Sequence, residues 1–348
     1  MEFLWFCIVA FMITMYAILD GFDLGAGIIH LIAARTDEER RTILNAVGPV
    51  WDGNEVWLLA GGGTLYLAFP LLYASSFSGF YLPLMIVLWL LILRALGIEF
   101  RHQVHHPLWA AFWDSVFSIG SILLSIVFGA ALGNVVRGVP LQADGYFFAP
   151  LWTSFTPQPD AGILDWFTVT MGLVSFFTLT THGANFIAIK TEGMLQQRAR
   201  TIAGWAWWGL TLTSAAALIA TSTIRPALWD NFAAYAWGAI FPLAGIAGIV
   251  GMFIFNKRKD DTKAFVSSAA FIAGMLATTA FGLFPIVLPA SANPAYSLTV
   301  YNTLTHAYGL SVGIIWWTLG IVLAIGYLVF LVRSFKGKVK LPAEGEGY

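Results

Sequence analysis

Four stretches of this chain, residues 3–19, 56–93, 115–136 and 264–332, contain no Asp, Glu, Lys or Arg. Each reaches or approaches the roughly 20 apolar residues that a helix needs to cross a bilayer. They mostly lack strict alternation, and many are too long for barrel strands, so the reading is helical. Only 11% of the 348 residues are charged and the mean hydropathy is +0.76, whereas soluble domains average about a quarter charged residues. The expectation is an all-α polytopic integral membrane protein, folded as one transmembrane domain over residues 1–348.

Nine spans account for the apolar runs, at approximately 3–34, 55–73, 79–99, 113–134, 163–189, 202–222, 233–255, 264–288 and 306–332. A tight turn at 73–79, where Ser75, Ser76, Ser78 and Gly79 cluster, separates the second and third. With nine spans, every one of the 18 Lys and Arg residues except Arg137 and Arg225 falls on one side. The positive-inside rule then puts the N-terminus outside and the C-terminus in the cytoplasm. Dropping one span would scatter the basic residues over both sides. Residues 35–50 are expected to hold a surface helix with Thr36 and Glu39 as a capping box. Residues 137–164 are expected to form an ordered external cap, and 340–348 a disordered tail. Glu2 precedes the first apolar run and no basic n-region is present, so that run reads as a retained helix and not a cleaved signal.

Acids lie where this architecture makes them costly. Asp20 and Asp23 interrupt the run MITMYAILDGFDLGAGIIHLIAA, Asp52 and Glu55 open WDGNEVWLLAGGG, and Glu99 closes LPLMIVLWLLILRALGIEF. A carboxylate in hydrocarbon costs at least a few kcal/mol, so it persists with a partner, water or a task. Helical rise puts Asp20 about 25 Å below Phe3, in the inner half of the bilayer. The other acids occupy the inner ends of spans two and three, so all five converge on the cytoplasmic half. Asp20 and Asp23 are i,i+3, as are Asp52 and Glu55, so each pair shares a face. Close carboxyls do not both ionise cheaply, which suits such pairs to holding and passing protons.

Plainer readings compete at single positions. Asp52 and Asn54 could cap the second span. Glu99 could pair with Arg94 or Arg101, and Arg94 could snorkel to the cytoplasmic face. Asp20 and Asp23 have no comparable excuse.

Other residues restrict the chemistry. One cysteine, Cys7, excludes an intrachain disulfide framework and a Cys-ligated metal centre. A net charge of −1 with no basic stripe speaks against nucleic acid. Of six histidines, His102, His105 and His106 fall in a polar loop and His306 at an external mouth; only His182 and, less securely, His30 sit in a span. A haem needs facing ligands at matched depth, and a helix-packing hydrogen bond is the better role for His182. Trp5, Trp51, Trp109, Trp113, Trp152, Trp166 and Trp229 mark span ends. Trp205, Trp207, Trp208, Trp316 and Trp317 could line a lipid or quinone groove, or simply touch lipid.

The segments DGFDLGAG, RRTILNAVGPVWDGNEVWLLAGGG and FSGFYLPLMIVLWLLILRALGIEFR, in that order and spacing, closely resemble subunit II of cytochrome bd-type quinol oxidases, and FGLFPIVLPAS fits as well. The resemblance covers essentially the whole chain. It implies a multi-pass subunit of a bacterial or archaeal cytoplasmic membrane complex that oxidises quinol and reduces oxygen to water. It further implies that the haems belong to a partner, subunit I, so that no cofactor is expected to bind this chain directly, with room for a structural quinone. Membrane lipids are expected around it, and a small single-helix subunit is compatible with the family. In the family the WDGN aspartate and an acid near the inner end of the third span serve a cytoplasmic proton pathway, which maps onto Asp52 and Glu99. Asp20 and Asp23 match the first motif, and Asn54 and Glu55 complete the second; the family also uses Asp at position 99 and Gln at position 55. The leading expectation is a cytoplasmic proton intake through Asp52, Glu99, Asp23, Asp20, Glu55 and Asn54. The rivals are a proton-coupled secondary transporter and a structural scaffold subunit.

Overall fold

The computed structural model describes residues 1–339; the tail expected at 340–348 lies outside them. The helices are α1 (Glu2–Ala33), α2 (Asp37–Val47), α3 (Trp51–Ala68), α4 (Pro70–Gly79), α5 (Tyr81–Phe100), α6 (Pro107–Arg137), α7 (Trp166–Lys190), α8 (Gly193–Ile224), α9 (Asp230–Ala234), α10 (Ile240–Lys257), α11 (Asp261–Leu283) and α12 (Ala307–Ser334). Strands β1 (Ile286–Leu288) and β2 (Leu298–Thr299) pair antiparallel in the loop between α11 and α12. Among the described residues eight helices are long and apolar enough to cross a membrane: α1, α5, α6, α7, α8, α10 with its leading turn, α11 and α12. The molecule is an all-α polytopic membrane protein.

Helix α1 is the hub. It packs against α3, α6, α7 and α11 and buries every residue from Leu19 to His30. Small residues set the closeness of that packing, as is usual between helices in lipid. A Cβ on Gly25 would lie 2.0 Å from the Leu179 carbonyl oxygen and 2.7 Å from the Cα of Gly183, so α1 and α7 touch backbone to backbone. Helix α12 is the opposite case. It buries only Leu310, Gly313 and Leu331 and packs mainly on α3. Beyond it the chain runs back under α7: Val339 donates its N–H to Lys190 O at 2.8 Å, and Lys338 Nζ donates to Thr191 O at 2.8 Å.

Several boundaries differ from the sequence expectation, each for a local reason. The span expected at 55–73 is broken at Phe69, whose non-helical φ of −130° and ψ of 63° close α3 before Pro70 opens α4; proline has no N–H to continue the ladder but starts a helix well. The turn expected at 73–79 is helix. Ser78 returns its hydroxyl to Ala74 O at 2.7 Å, so the serine cluster satisfies itself within helical backbone. The span expected from 233 begins as α10 at Ile240, because residues 226–239 form two 3₁₀ turns around α9. The span expected to reach 288 ends at Leu283, where Pro285 and the β-branched pair Ile286–Val287 turn the chain into β1. The surface helix at 35–50 is α2, and Thr36 and Glu39 form its capping box.

Candidate functional site: a buried acid cluster beside a cavity

Helices α1, α3 and α5 meet at a charged knot. Asp20, Asp23 and Arg94 are each 0% exposed. Arg94 Nη1 donates to Asp20 Oδ1 at 2.7 Å, and its Nη2 to Glu55 Oε2 at 2.8 Å. Asn54 Nδ2 donates to Asp23 Oδ2 at 2.7 Å. The i,i+3 spacing does the placing. Asp20 and Asp23 share one face of α1, and the start of α3 presents Asn54 to the second acid while Glu55 reaches the shared guanidinium. Two carboxyls share the Arg94 guanidinium, while Asp23 has the Asn54 amide as its partner. Asp20 Oδ2, Asp23 Oδ1, Arg94 Nε and the hydroxyl of Tyr16, one turn before Asp20, are buried polar atoms outside these bonds, so the knot retains hydrogen-bonding capacity.

Three corrections follow. Arg94 does not snorkel; it is wholly buried and ties α5 to α1 and α3. Glu99 pairs with neither Arg94 nor Arg101, both of which bind other carboxylates. The capping role for Asp52 and Asn54 also fails. Val50 occupies the cap of α3 with no side-chain cap, and Asp52 sits inside the first turn.

Asp52 is exposed and stands apart from the knot. It lines a cavity of about 500 Å3 between α1, α3 and α12. Asn54 lines the same cavity, together with Met12, Trp57, Thr64 and Tyr327. Asn54 therefore touches both the cavity and Asp23, and Glu55, with its side chain 23% exposed, reaches Arg94 from the surface of the bundle. Glu99 is half-buried near the end of α5, without an ion pair among the described residues.

A second polar cluster was not foreseen. Asp114 of α6 is buried and accepts from His30 Nε2 at 2.7 Å, Arg101 Nε at 2.6 Å and Arg40 Nη1 at 3.2 Å. Arg101 also reaches Asp37 at 2.6 Å. Burial pulls the Arg101 guanidinium down, but its bonds to Asp114 and Asp37 outweigh that and hold it above its ordinary value. The signal was present: Asp114 lies in the apolar run WAAFWDSVFSIG, as costly there as Asp20 in its own. On the opposite end of α6, Arg137 is buried against Asp165, Asn134 Oδ1 at 2.7 Å and Gly162 O at 3.1 Å, which pins the segment between α6 and α7. His182 has both ring nitrogens engaged, Nδ1 with Ser268 Oγ at 2.7 Å and Nε2 with Ile18 O at 2.9 Å. It is the packing group expected, with no nitrogen left for a metal.

Comparison with known proteins places this geometry. Residues 1–335 match the family model for cytochrome bd terminal oxidase subunit II. A Haemophilus influenzae protein described as a probable cytochrome oxidase subunit 2 is 31% identical over 97% of this chain and 95% of its own length. The Bacillus subtilis cytochrome bd ubiquinol oxidase subunit 2 is 33% identical over 89% of this chain and 88% of its own. A chain in the solved structure of the bd oxidase from Geobacillus thermodenitrificans shares the fold with a TM-score of 0.75, at 16% identity, over 96% of this chain and 98% of that one. The acid-bearing hub, the multi-pass helical fold and these full-length matches agree that the chain belongs to the cytochrome bd terminal oxidase subunit II family.

Proposed function

We propose that this chain is subunit II of a respiratory quinol oxidase in the cytoplasmic membrane, packed against a haem-bearing subunit I, and that it supplies cytoplasmic protons for the reduction of oxygen to water. The haems held by subunit I in this family carry the electrons and the oxygen chemistry. The part of the present chain is to admit, hold and hand on protons.

The observation that carries this reading is that the cavity lined by Asp52 and Asn54 abuts the buried acids of α1, with Asn54 as the residue common to both. Asp52 and Asn54 share one cavity, Asn54 bonds Asp23, and Arg94 joins Asp20 to Glu55. A proton arriving at the cavity meets an acceptor at Asp52; beyond it the Asn54 amide, which carries no proton itself, orients the Asp23 carboxyl, and Asp20 and the Arg94 cation stand behind. Arg94 keeps negative charge tolerable at that depth, and exchangeable carboxyls keep it available. Glu99 is assigned to the outer part of the same intake through its place on α5. In this reading α3 and α4 together make a ninth crossing, the chain forms a single transmembrane domain, and the N-terminus lies outside. That orientation puts the intake at the cytoplasmic face, so that proton uptake on one side and quinol oxidation on the other generate membrane potential.

Asp52→Asn tests the proposal in the purified complex. Oxygen consumption with quinol falls while haem content and optical spectrum stay normal. Unchanged turnover with normal haem would remove Asp52 from the intake. A loss of assembled complex, with normal turnover in whatever assembles, would assign this acid a scaffold role.

A further inference from the structure

Helices α8 and α10 enclose a cleft of about 330 Å3 that shares no residue with the acid cluster. Trp205 and Trp208 form its lips and are 76% and 54% exposed. Trp207 forms its back wall. Its indole N–H is locked to Ile249 O at 2.9 Å, and its ring packs on Phe253 at 4.8 Å between centroids. Gly204 leaves the floor open, since a Cβ there would meet nothing within 4 Å.

The polar end of the cleft is as ordered as its walls. Lys257, in the last turn of α10, holds its Nζ 4.0 Å from the centroid of the Phe253 ring. It has no carboxylate partner among the described residues, whereas two other cations nearby are committed: Arg200 to Asp261 at 2.7 Å and Lys263 to Asp260 at 2.9 Å. Asn256, beside it, has an amide nitrogen with no acceptor. An ammonium held on an aromatic face and left without a counter-charge is poised for an anion. Broad indole walls, in a protein whose surface meets lipid, are suited to acyl chains.

A soluble anion would have no use for the aromatic walls, and a neutral hydrocarbon would have none for the ammonium. One molecule that uses both is an amphiphile with a phosphate between glycerol and headgroup. We propose that the α8–α10 cleft is a selective binding site for an anionic diacyl phospholipid, with its phosphate at Lys257 and Asn256 and an acyl chain along Trp205 and Trp208. Arg258 and Lys259, which follow in sequence, strengthen the local positive field. The site is independent of the proton intake.

The whole oxidase complex in lipid nanodiscs tests this, with a trace of diazirine-bearing phosphatidylglycerol or, separately, diazirine-bearing phosphatidylcholine. The expected result is labelling of the peptides spanning 201–208 and 253–257 about fivefold stronger with the anionic lipid, the preference that one well-placed cation supplies. Lys257→Gln brings the two lipids to parity while oxygen consumption and haem spectrum stay as in the parent complex. Equal labelling by both lipids in the parent would reduce the cleft to ordinary lipid contact and overturn the proposal. Absence of label there would mean that another subunit covers the face, and displacement of the label by a quinone analogue would mean a different occupant; either result overturns it as well.

Discussion

Arg94 Nη1 lies 2.7 Å from Asp20 Oδ1, and neither side chain is reached by solvent. The pair joins α5 to the hub helix, and Glu55 at 2.8 Å extends it to α3. Breaking a buried pair by removing one partner leaves an uncompensated charge and costs about 3–5 kcal/mol. Arg94→Met is therefore expected to lower the yield of haem-loaded complex and its thermal midpoint. Arg94→Lys keeps the charge but loses the forked geometry that serves two carboxylates at once, and should fall between parent and Met variant. Optical haem quantification after purification checks the order.

Asp23→Asn keeps the size of the side chain and the contact with Asn54 but removes the exchangeable proton. If the carboxyl lies on the intake route, quinol-driven oxygen consumption drops by on the order of a hundredfold, with an unaltered haem spectrum. A variant that turns over at the parent rate would place the route elsewhere.

Asp114 holds two arginines and a histidine in place. Asp114→Ala strands Arg101, which is 5% exposed, and His30, which is fully buried; the expected loss is again about 3–5 kcal/mol. Asp37, 68% exposed at the outer end of the same cluster, should cost less than about 1 kcal/mol when replaced by alanine. Thermal denaturation of the two variant complexes side by side tests the contrast.

Acid should loosen α2 before it affects the bundle. Burial pushes the Glu39 carboxyl up, but bonds from the Arg35 backbone N–H, the Arg198 side chain and the Thr36 backbone N–H outweigh it and hold the group below its ordinary value. A lowered carboxyl contributes stability that is complete above the unfolded-state value and is lost as pH falls through the folded one. The protection of amides in residues 36–47, taken relative to the intrinsic exchange rate at each pH, should therefore be full at neutral pH and fall at about pH 4 and below. Glu39→Gln should reproduce part of that loss of protection at neutral pH.

Gly25→Ala tests the contact between α1 and α7. The added methyl would sit against the Leu179 carbonyl, where only backbone can give way. Overpacking of this kind costs about 1–3 kcal/mol or more. The variant should show a lower melting temperature, whereas Gly62→Ala, on α3 where a Cβ meets nothing within 4 Å, should not.

The polytopic helical fold was legible because hydrocarbon leaves the backbone few options, and apolar length carries most of that signal. The acids of α1 were legible for the same reason: nothing about Asp20 or Asp23 suits lipid, and the structure buries both beside partners. What escaped the sequence was pairing. Arg94 stands near a helix end, where a long side chain has two outlets, and only the third dimension shows Asp20 and Glu55 waiting for it. His30 and Asp114 are far apart in the chain and meet only because α1 and α6 pack together. The helix break at Phe69 was written in Pro70, but the serine cluster that follows gave a turn signal that helical backbone absorbed.

Helix α12 supplies one wall of the chamber beside Asp52 while leaning on little besides α3, with its far end tied down by Lys338 and Val339. Sideways displacement of that single rod would widen the doorway for water without disturbing the hub, at the expense of few contacts. The cavity beside Asp52 thus has for one wall the long helix with the fewest contacts inside this subunit, and the backbone and side-chain bonds of residues 338 and 339 tether the end of that wall to α7.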